Sequence, residues 1–186
     1  MPTDNSRKQH WETVYADKNP NEVSWTQENP ISSLRLIFNT GLSKTAEIID
    51  IGGGDSQLVD FLLNEGYVNL TVLDISSNAI GKARARLGKK SGKVNWLHRD
   101  MLDFVPIKKY DVWHDRAAFH FLTKPSDIRR YVEVVKKFVS KELIIACFSK
   151  KGPLRCSGLD ITQYDKDSIK EQFKDNFELI EWFYRD

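Results

Sequence analysis

Short apolar runs alternate along this chain with stretches of helical spacing. Residues 46–51, 70–74, 93–97, 110–115 and 143–148 read as strands, because each is of strand length and rich in apolar, aromatic or β-branched residues. Between them the period changes to that of a helix. A helix opens near Asp55 and carries Leu58, Val59, Phe61, Leu62 and Leu63, a second runs from Ala79 to Leu87, and a third from about Ser126 to Val139 turns Ile128, Tyr131, Val132, Val135 and Phe138 inward. Strand and helix in strict alternation predict a parallel sheet with right-handed crossovers and helices on both faces, a doubly wound α/β fold. Ahead of the first strand, residues 5–16 form an amphipathic helix with His10, Trp11, Val14 and Tyr15 on one face. Asn19-Pro20-Asn21 breaks the chain, Glu22 to Gln27 is extended, and a helix from Ile31 to Asn39 ends toward Gly41. After the fifth strand come a loop from Lys150 through Gly158, a helix from Asp167 to Phe173 and a strand from Phe177 to Phe183.

Composition narrows the picture without changing it. A chain of 186 residues with 40% hydrophobic content suits one domain with a proper core: a helical lid over residues 1–40 and a core over 45–186. A net charge of +2 gives no strong pull toward nucleic acid, and the Lys/Arg cluster at Lys82, Arg84, Arg86, Lys89, Lys90 and Lys93 reads as a solvated helix face. Cys147 and Cys156 make neither a disulfide framework nor a metal cluster, which points to a reducing compartment. No apolar run has the length of a membrane span, and Met1-Pro2-Thr3-Asp4 does not open a signal peptide. A soluble cytoplasmic protein without a membrane partner is expected.

The chemistry gathers at Asp50-Ile51-Gly52-Gly53-Gly54-Asp55-Ser56. A strand that runs into glycines and then a helix is where a nucleotide-like cofactor is held, since a backbone without Cβ atoms lets the ligand approach. The dinucleotide fingerprint would need a third glycine where Gln57 stands, which argues against a nicotinamide or flavin oxidoreductase. The second strand ends on Asp74, followed by Ile75, the place of an acid that accepts hydrogen bonds from a ribose. Ser76 or Ser77 is free to cap the next helix without it. His114, Asp115, Arg116 and His120 follow the fourth strand, at the end of the sheet where ligands sit.

Taken together, these segments resemble the class I, Rossmann-like, seven-stranded S-adenosylmethionine (SAM) methyltransferases. Asp50-Ile51-Gly52-Gly53-Gly54 is similar to their first motif, and Asp74, Asp100 and Tyr110-Asp111-Val112-Trp113-His114-Asp115 fall in the family's order. The resemblance implies SAM as cofactor and S-adenosylhomocysteine as product. Gly52, Gly53 and Gly54 would lie along the methionine tail, Asp74 at the ribose, and Asp100 at the adenine amino group with Met101 on the ring. The opening His10-Trp11-Glu12-Thr13-Val14-Tyr15, then Val23-Ser24-Trp25-Thr26-Gln27, resembles the lid of the thiopurine methyltransferase-like group, and Trp113-His114-Asp115-Arg116-Ala117-Ala118 resembles its Asp-Arg-Gly-Ala segment. On that analogy Trp25 and Gln27 line the SAM site, while Trp11, Tyr15 and Arg116 reach the acceptor.

Methyl transfer mainly needs alignment and exclusion of water, with a base only where the acceptor must lose a proton. His114, Asp115 and His120 are the candidates for that base, and Arg116 is the candidate to hold a carboxylate. A small acceptor, a thiol or another soft nucleophile, is the first expectation. A protein lysine anchored by Asp115 is the alternative, since the Asp-Arg segment also resembles the Asp-Lys-Gly of small protein-lysine methyltransferases; a SAM-binding module without turnover is a third. The chain has neither Asn-Pro-Pro-Tyr nor a cysteine directly after the fourth strand, against amino methylation of adenine or glutamine by that device and against cytosine-C5 methylation. The family's final antiparallel strand is missing from the sequence pattern. A bare sheet edge is therefore expected, in a monomer or an edge-paired homodimer.

Overall fold

The computed structural model describes residues 4–17 and 25–185. The expected break at Asn19-Pro20-Asn21 and the first half of the extended piece from Glu22 to Gln27 lie outside the described residues. Two helices, Asp4–Asp17 (α1) and Ile31–Asn39 (α2), come first, and Glu47–Ile51 (β1) follows. Next are Leu58–Asn64 (α3), Asn69–Asp74 (β2), Ser77–Leu87 (α4), Val94–His98 (β3), Tyr110–Arg116 (β4), Pro125–Phe138 (α5) and Val139–Ala146 (β5). These strands form a five-stranded sheet in the order β3-β2-β1-β4-β5, and every ladder is parallel. A short hairpin, Arg155–Cys156 (β6) with Leu159–Asp160 (β7), and a last helix, Lys166–Phe173 (α6), complete the elements.

Side-chain alternation along the central strands builds two cores. On β1, Ile49 and Ile51 face one way, toward Trp113, Tyr131, Val135 and Phe173, so that α5 and α6 cover that face. Ile48 faces the other way, toward Val112, Leu70, Leu58, Leu62 and Ile37, under α2 and α3. With both faces covered, the buried part of β1, Ile48 to Ile51, is apolar except at Asp50. The strand order reverses between β1 and β4, and a crevice opens beyond their carboxyl ends.

Several boundaries differ from the expectations above. Helix α3 starts at Leu58, because Gly53 to Gln57 is spent on the turn: Ser56 N–H donates to the Gly53 carbonyl. Strand β5 begins at Val139, where α5 passes straight into extended backbone. The loop after β5 holds the β6–β7 hairpin, closed by left-handed backbone at Ser157 (φ 48°) and Gly158 (φ 79°).

The strand expected over Phe177 to Phe183 does not form. Side chains tie this segment to α2 instead. Arg35 pairs with Glu181 at 2.6 Å and lies over the Phe183 ring, and Arg185 donates to Ser32 Oγ at 3.2 Å. Its apolar residues do not share one buried face either: Ile180 is 82% exposed while Trp182 packs on the core. Among the described residues β5 ends the sheet on this side, and no antiparallel strand joins it.

Helix α1 lies apart from both cores, and none of its described side chains is buried. It packs against α4. Among the described residues, no helix is long and apolar enough to cross a membrane.

Candidate functional site

The floor of the crevice is the turn after β1. Gly52 has φ +65°, and a Cβ there would stand 2.9 Å from the Ala118 Cβ; both facts call for glycine. Its N–H donates to the Leu73 carbonyl at 2.8 Å, which stitches the turn to the end of β2. At Gly54 a Cβ would meet Asp74 Oδ2 at 2.5 Å. The turn therefore packs directly on the acid that ends β2. Asp74 accepts from Ser76 N–H at 2.8 Å and from Gly54 N–H, yet burial dominates and pushes its carboxyl up to about 7. Ser76 caps α4 by accepting from Ala79 N–H, so Asp74 is not needed for the cap.

Asp100, after β3, is the second acid of the cleft. Its Oδ1 accepts from Leu102 N–H at 2.9 Å and its Oδ2 pairs with Arg7 of α1 at 2.7 Å. Each oxygen keeps a second lone pair. Ile75 and Met101 flank the two acids as lining residues.

The opposite wall is aromatic. Trp11 lies edge-on to Phe121 at 5.1 Å and to Trp25 at 5.9 Å, with Tyr15 at 6.2 Å. Arg116 enters beside them, donating to the Trp25 carbonyl at 3.1 Å. It makes no ion pair among the described residues, and burial lowers the pKa of its guanidinium. Gln27 and Cys156 also line the cleft; burial raises the Cys156 thiol and keeps it protonated. Of the expected site residues, Trp11, Tyr15, Trp25, Gln27, Gly52, Asp74, Ile75, Asp100, Met101 and Arg116 thus meet in one cleft.

Asp50, Gly53, Gly54, His114, Asp115 and His120 do not line it. Strand β4 continues through Arg116, so His114 and Asp115 stay inside the ladder, level with Asp50 and Ile51, and Arg116 is the side chain at the strand's end. His114 turns to the α2 face, with Nδ1 2.7 Å from Asp50 Oδ1 and Nε2 2.8 Å from Ser33 Oγ. Asp50 thereby braces the turn from behind, against Gly53. Asp115 turns to the other face. Its Oδ2 accepts from Tyr131 Oη at 2.6 Å, and its Oδ1 accepts from the N–H groups of Ala118 and Phe119. Tyr131 in turn accepts from Trp113 Nε1 at 2.9 Å. Burial pushes the Asp115 carboxyl up to about 6 against these hydrogen bonds. His120 is enclosed by Phe121 and Phe148, and neither ring nitrogen has a hydrogen-bond partner among the described residues. Burial lowers it to about 4 and keeps it neutral.

Arg7 and Phe121 were not expected in the cleft, and Cys156 reads from the sequence as a weak nucleophile candidate or, more simply, a loop cysteine. Arg7 stands four residues before Trp11, so helical spacing alone puts it on that face. Phe121 reads as core, and Cys156 enters through a hairpin that the sequence presents as loop.

A family description of the methyltransferase domain matches residues 49–142, from β1 to the first half of β5. The EEF1A lysine methyltransferase 2 of Danio rerio is 24% identical over 192 residues, 96% of this chain and 78% of the relative. Among solved structures, 1,6-didemethyltoxoflavin-N1-methyltransferase of Burkholderia thailandensis, with bound 1,6-didemethyltoxoflavin and S-adenosylhomocysteine, superposes with a TM-score of 0.72 at 16% identity. That match covers 95% of this chain and 80% of the other. Magnesium protoporphyrin IX methyltransferase of Synechocystis PCC 6803, with bound SAM, gives 0.64 at 17% identity over 90% and 78%.

Proposed function

The chain belongs to the methyltransferase domain family, and from that premise we propose that it transfers a methyl group from SAM to a small, flat acceptor. The reading rests above all on one observation: the Gly52 turn, Asp74, Asp100 and an aromatic wall share a single cleft at the switch point of the sheet. SAM supplies a methyl group already activated on its sulfonium. The residues present fit it. Asp74 is buried with backbone donors alone on its carboxylate, which suits two ribose hydroxyls as further donors. Asp100 would take the adenine amino group between Ile75 and Met101. Gly52 lets the backbone approach the methionine tail, with Gly53, Gly54 and Asp50 shaping the turn from behind. Trp25 and Gln27 close the site, as in the thiopurine methyltransferase-like lid. Arg116, without an ion-pair partner among the described residues, would hold a carboxylate of the cofactor or of the acceptor. The whole chain acts as one domain, in which α1 serves as the lid, while α2, expected to belong to the lid, packs Leu34 and Ile37 into the core beside α3.

The acceptor end supports a flat molecule bearing a soft nucleophile such as a thiol. Trp11, Tyr15 and Phe121 offer ring faces and edges for stacking. His114, Asp115 and His120, the groups expected to act as base, are all turned away, so an acceptor that ionises readily in water suits this wall. A protein lysine is the second reading, favoured by the similarity to a lysine methyltransferase over nearly the whole chain. It would have to do without Asp115 as its anchor.

A thermal-shift panel with SAM, S-adenosylhomocysteine, NAD and FAD tests the cofactor. Saturation at a hundred times the dissociation constant adds about 2.7 kcal/mol. A shift with the two adenosyl compounds alone is expected, and a folded protein that responds to neither would overturn the reading. Radiolabelled SAM with a panel of aromatic thiols, against the same label with lysate protein, then separates the two acceptors.

A further inference from the structure

Helix α1 is held in place by a clasp that no nearby part of the sequence announces. Both oxygens of Glu12 sit on the amino terminus of α4. Oε1 accepts from Ser77 N–H and Ser77 Oγ–H, each at 2.8 Å, and Oε2 accepts from Asn78 N–H at 3.0 Å and Ser76 Oγ–H at 2.8 Å. Asn78 Nδ2 returns a bond to the Glu12 carbonyl at 3.0 Å. The first amides of a helix lack partners inside it, and an anion there is favoured by the helix dipole. Here that anion comes from a residue 65 positions away. The hydrogen bonds hold the Glu12 carboxyl down at about 2 even though burial opposes them.

The clasp reaches the cleft by two routes. Ser76, whose hydroxyl donates to Glu12, gives its N–H to Asp74 Oδ1. Across the cleft, Arg7 of the same helix pairs with Asp100. Both acids assigned above to the adenosine are thus connected to α1. With no fully buried side chain among those described, α1 is held by these polar contacts together with half-buried Trp11, Val14 and Tyr15.

We propose that Glu12 is a positioning residue of the cofactor site: it docks α1 over the cleft and, through Ser76, fixes the carboxylate of Asp74. Docking of the helix and capture of cofactor are then one equilibrium, in which a ligand that favours the docked form shifts it further. This inference rests on the reading of Asp74 and Asp100 as adenosine contacts.

The test compares wild type with Glu12→Gln, which keeps the shape and removes the charge, by calorimetric titration of S-adenosylhomocysteine and by hydrogen exchange. In the variant, exchange of the α1 amides should speed up at least tenfold in the free protein. Affinity should fall at least tenfold, with exchange in β1, β2 and β4 unchanged. A freely exchanging α1 with affinity within twofold of wild type would mean a merely structural cap and overturns the proposal, as does an α1 that exchanges as before. Wild type that binds no S-adenosylhomocysteine overturns the functional reading and this inference with it. Should Glu12→Gln fail to fold, Ser77→Ala removes one side-chain bond of the clasp, and a loss of about threefold in affinity is expected; no loss there also overturns it.

Discussion

The ring of His114 and the carboxylate of Asp50 stand 2.7 Å apart, across the ladder that joins β4 to β1. Both are almost wholly buried, and the other ring nitrogen meets Ser33. The relationship makes His114 a support for the glycine turn. His114→Ala should lower stability by about 2–4 kcal/mol, because a buried carboxylate and hydroxyl lose their partner. Urea denaturation reads this loss. Turnover per folded molecule should stay within a few-fold, whereas a catalytic base would show the reverse pattern.

Asp115 leads to a similar expectation on the opposite face. Asp115→Asn puts an NH2 group where either Tyr131 Oη or the amides of Ala118 and Phe119 now donate. With the new amide donating to Tyr131 Oη and its oxygen kept on the two backbone amides, the Tyr131 O–H loses its buried acceptor, at a cost of about 1–3 kcal/mol. A protein-lysine enzyme anchored on Asp115 would instead lose turnover at unchanged stability.

Asp74 gives the pH dependence. Its folded pKa of about 7 lies above the ordinary carboxylate value, so the native state holds this proton more tightly than the unfolded chain. The stabilisation is fully present below the unfolded pKa near 4 and is lost as pH rises through 7. Ribose hydroxyls donate to the ionised form, so cofactor affinity moves in the other direction. Between pH 6 and 8 the dissociation constant of S-adenosylhomocysteine should fall roughly tenfold, the ratio set by a single ionisation near 7. Asp74→Asn should bind weakly and without that slope. Titration calorimetry at the two pH values decides.

Gly54→Ala tests the contact between turn and acid. Its new methyl would overlap Asp74 Oδ2 at 2.5 Å and the Ala79 Cβ at 2.8 Å. Displacing the carboxylate should weaken S-adenosylhomocysteine at least tenfold, at about 1–3 kcal/mol of stability, the usual range for overpacking. Equal affinity would mean that Asp74 does not touch the ligand.

The central strands were legible because burial on both faces leaves little besides apolar residues: Ile48, Ile49 and Ile51 on β1, and Leu70, Val72 and Leu73 on β2. The acids and the glycine turn were legible for the same reason, as polar or missing side chains at the ends of such runs. What failed depended on distant partners. The apolar residues from Phe177 to Phe183 look like a strand locally, but Arg35 and Ser32 hold that segment by side chains. One residue more on β4 decides that Arg116 reaches the cleft while His114 and Asp115 remain inside, and strand ends are what local patterns define least well. Glu12 carried no signal, since its partners lie on another helix.

The position of β1 also bears on how the protein is made. Ile48 pairs with Leu70 on one side and with Val112 on the other. On a ribosome the first partner emerges soon after β1, while the second is still untranslated. A nascent chain that has released β1, β2 and β3 but not β4 exposes its future centre as an unpaired apolar edge, open to holding factors and to mispairing. Proteolysis of chains stalled with β4 still inside the ribosome, and of chains long enough to have released it, should show protection of β1 only in the longer ones.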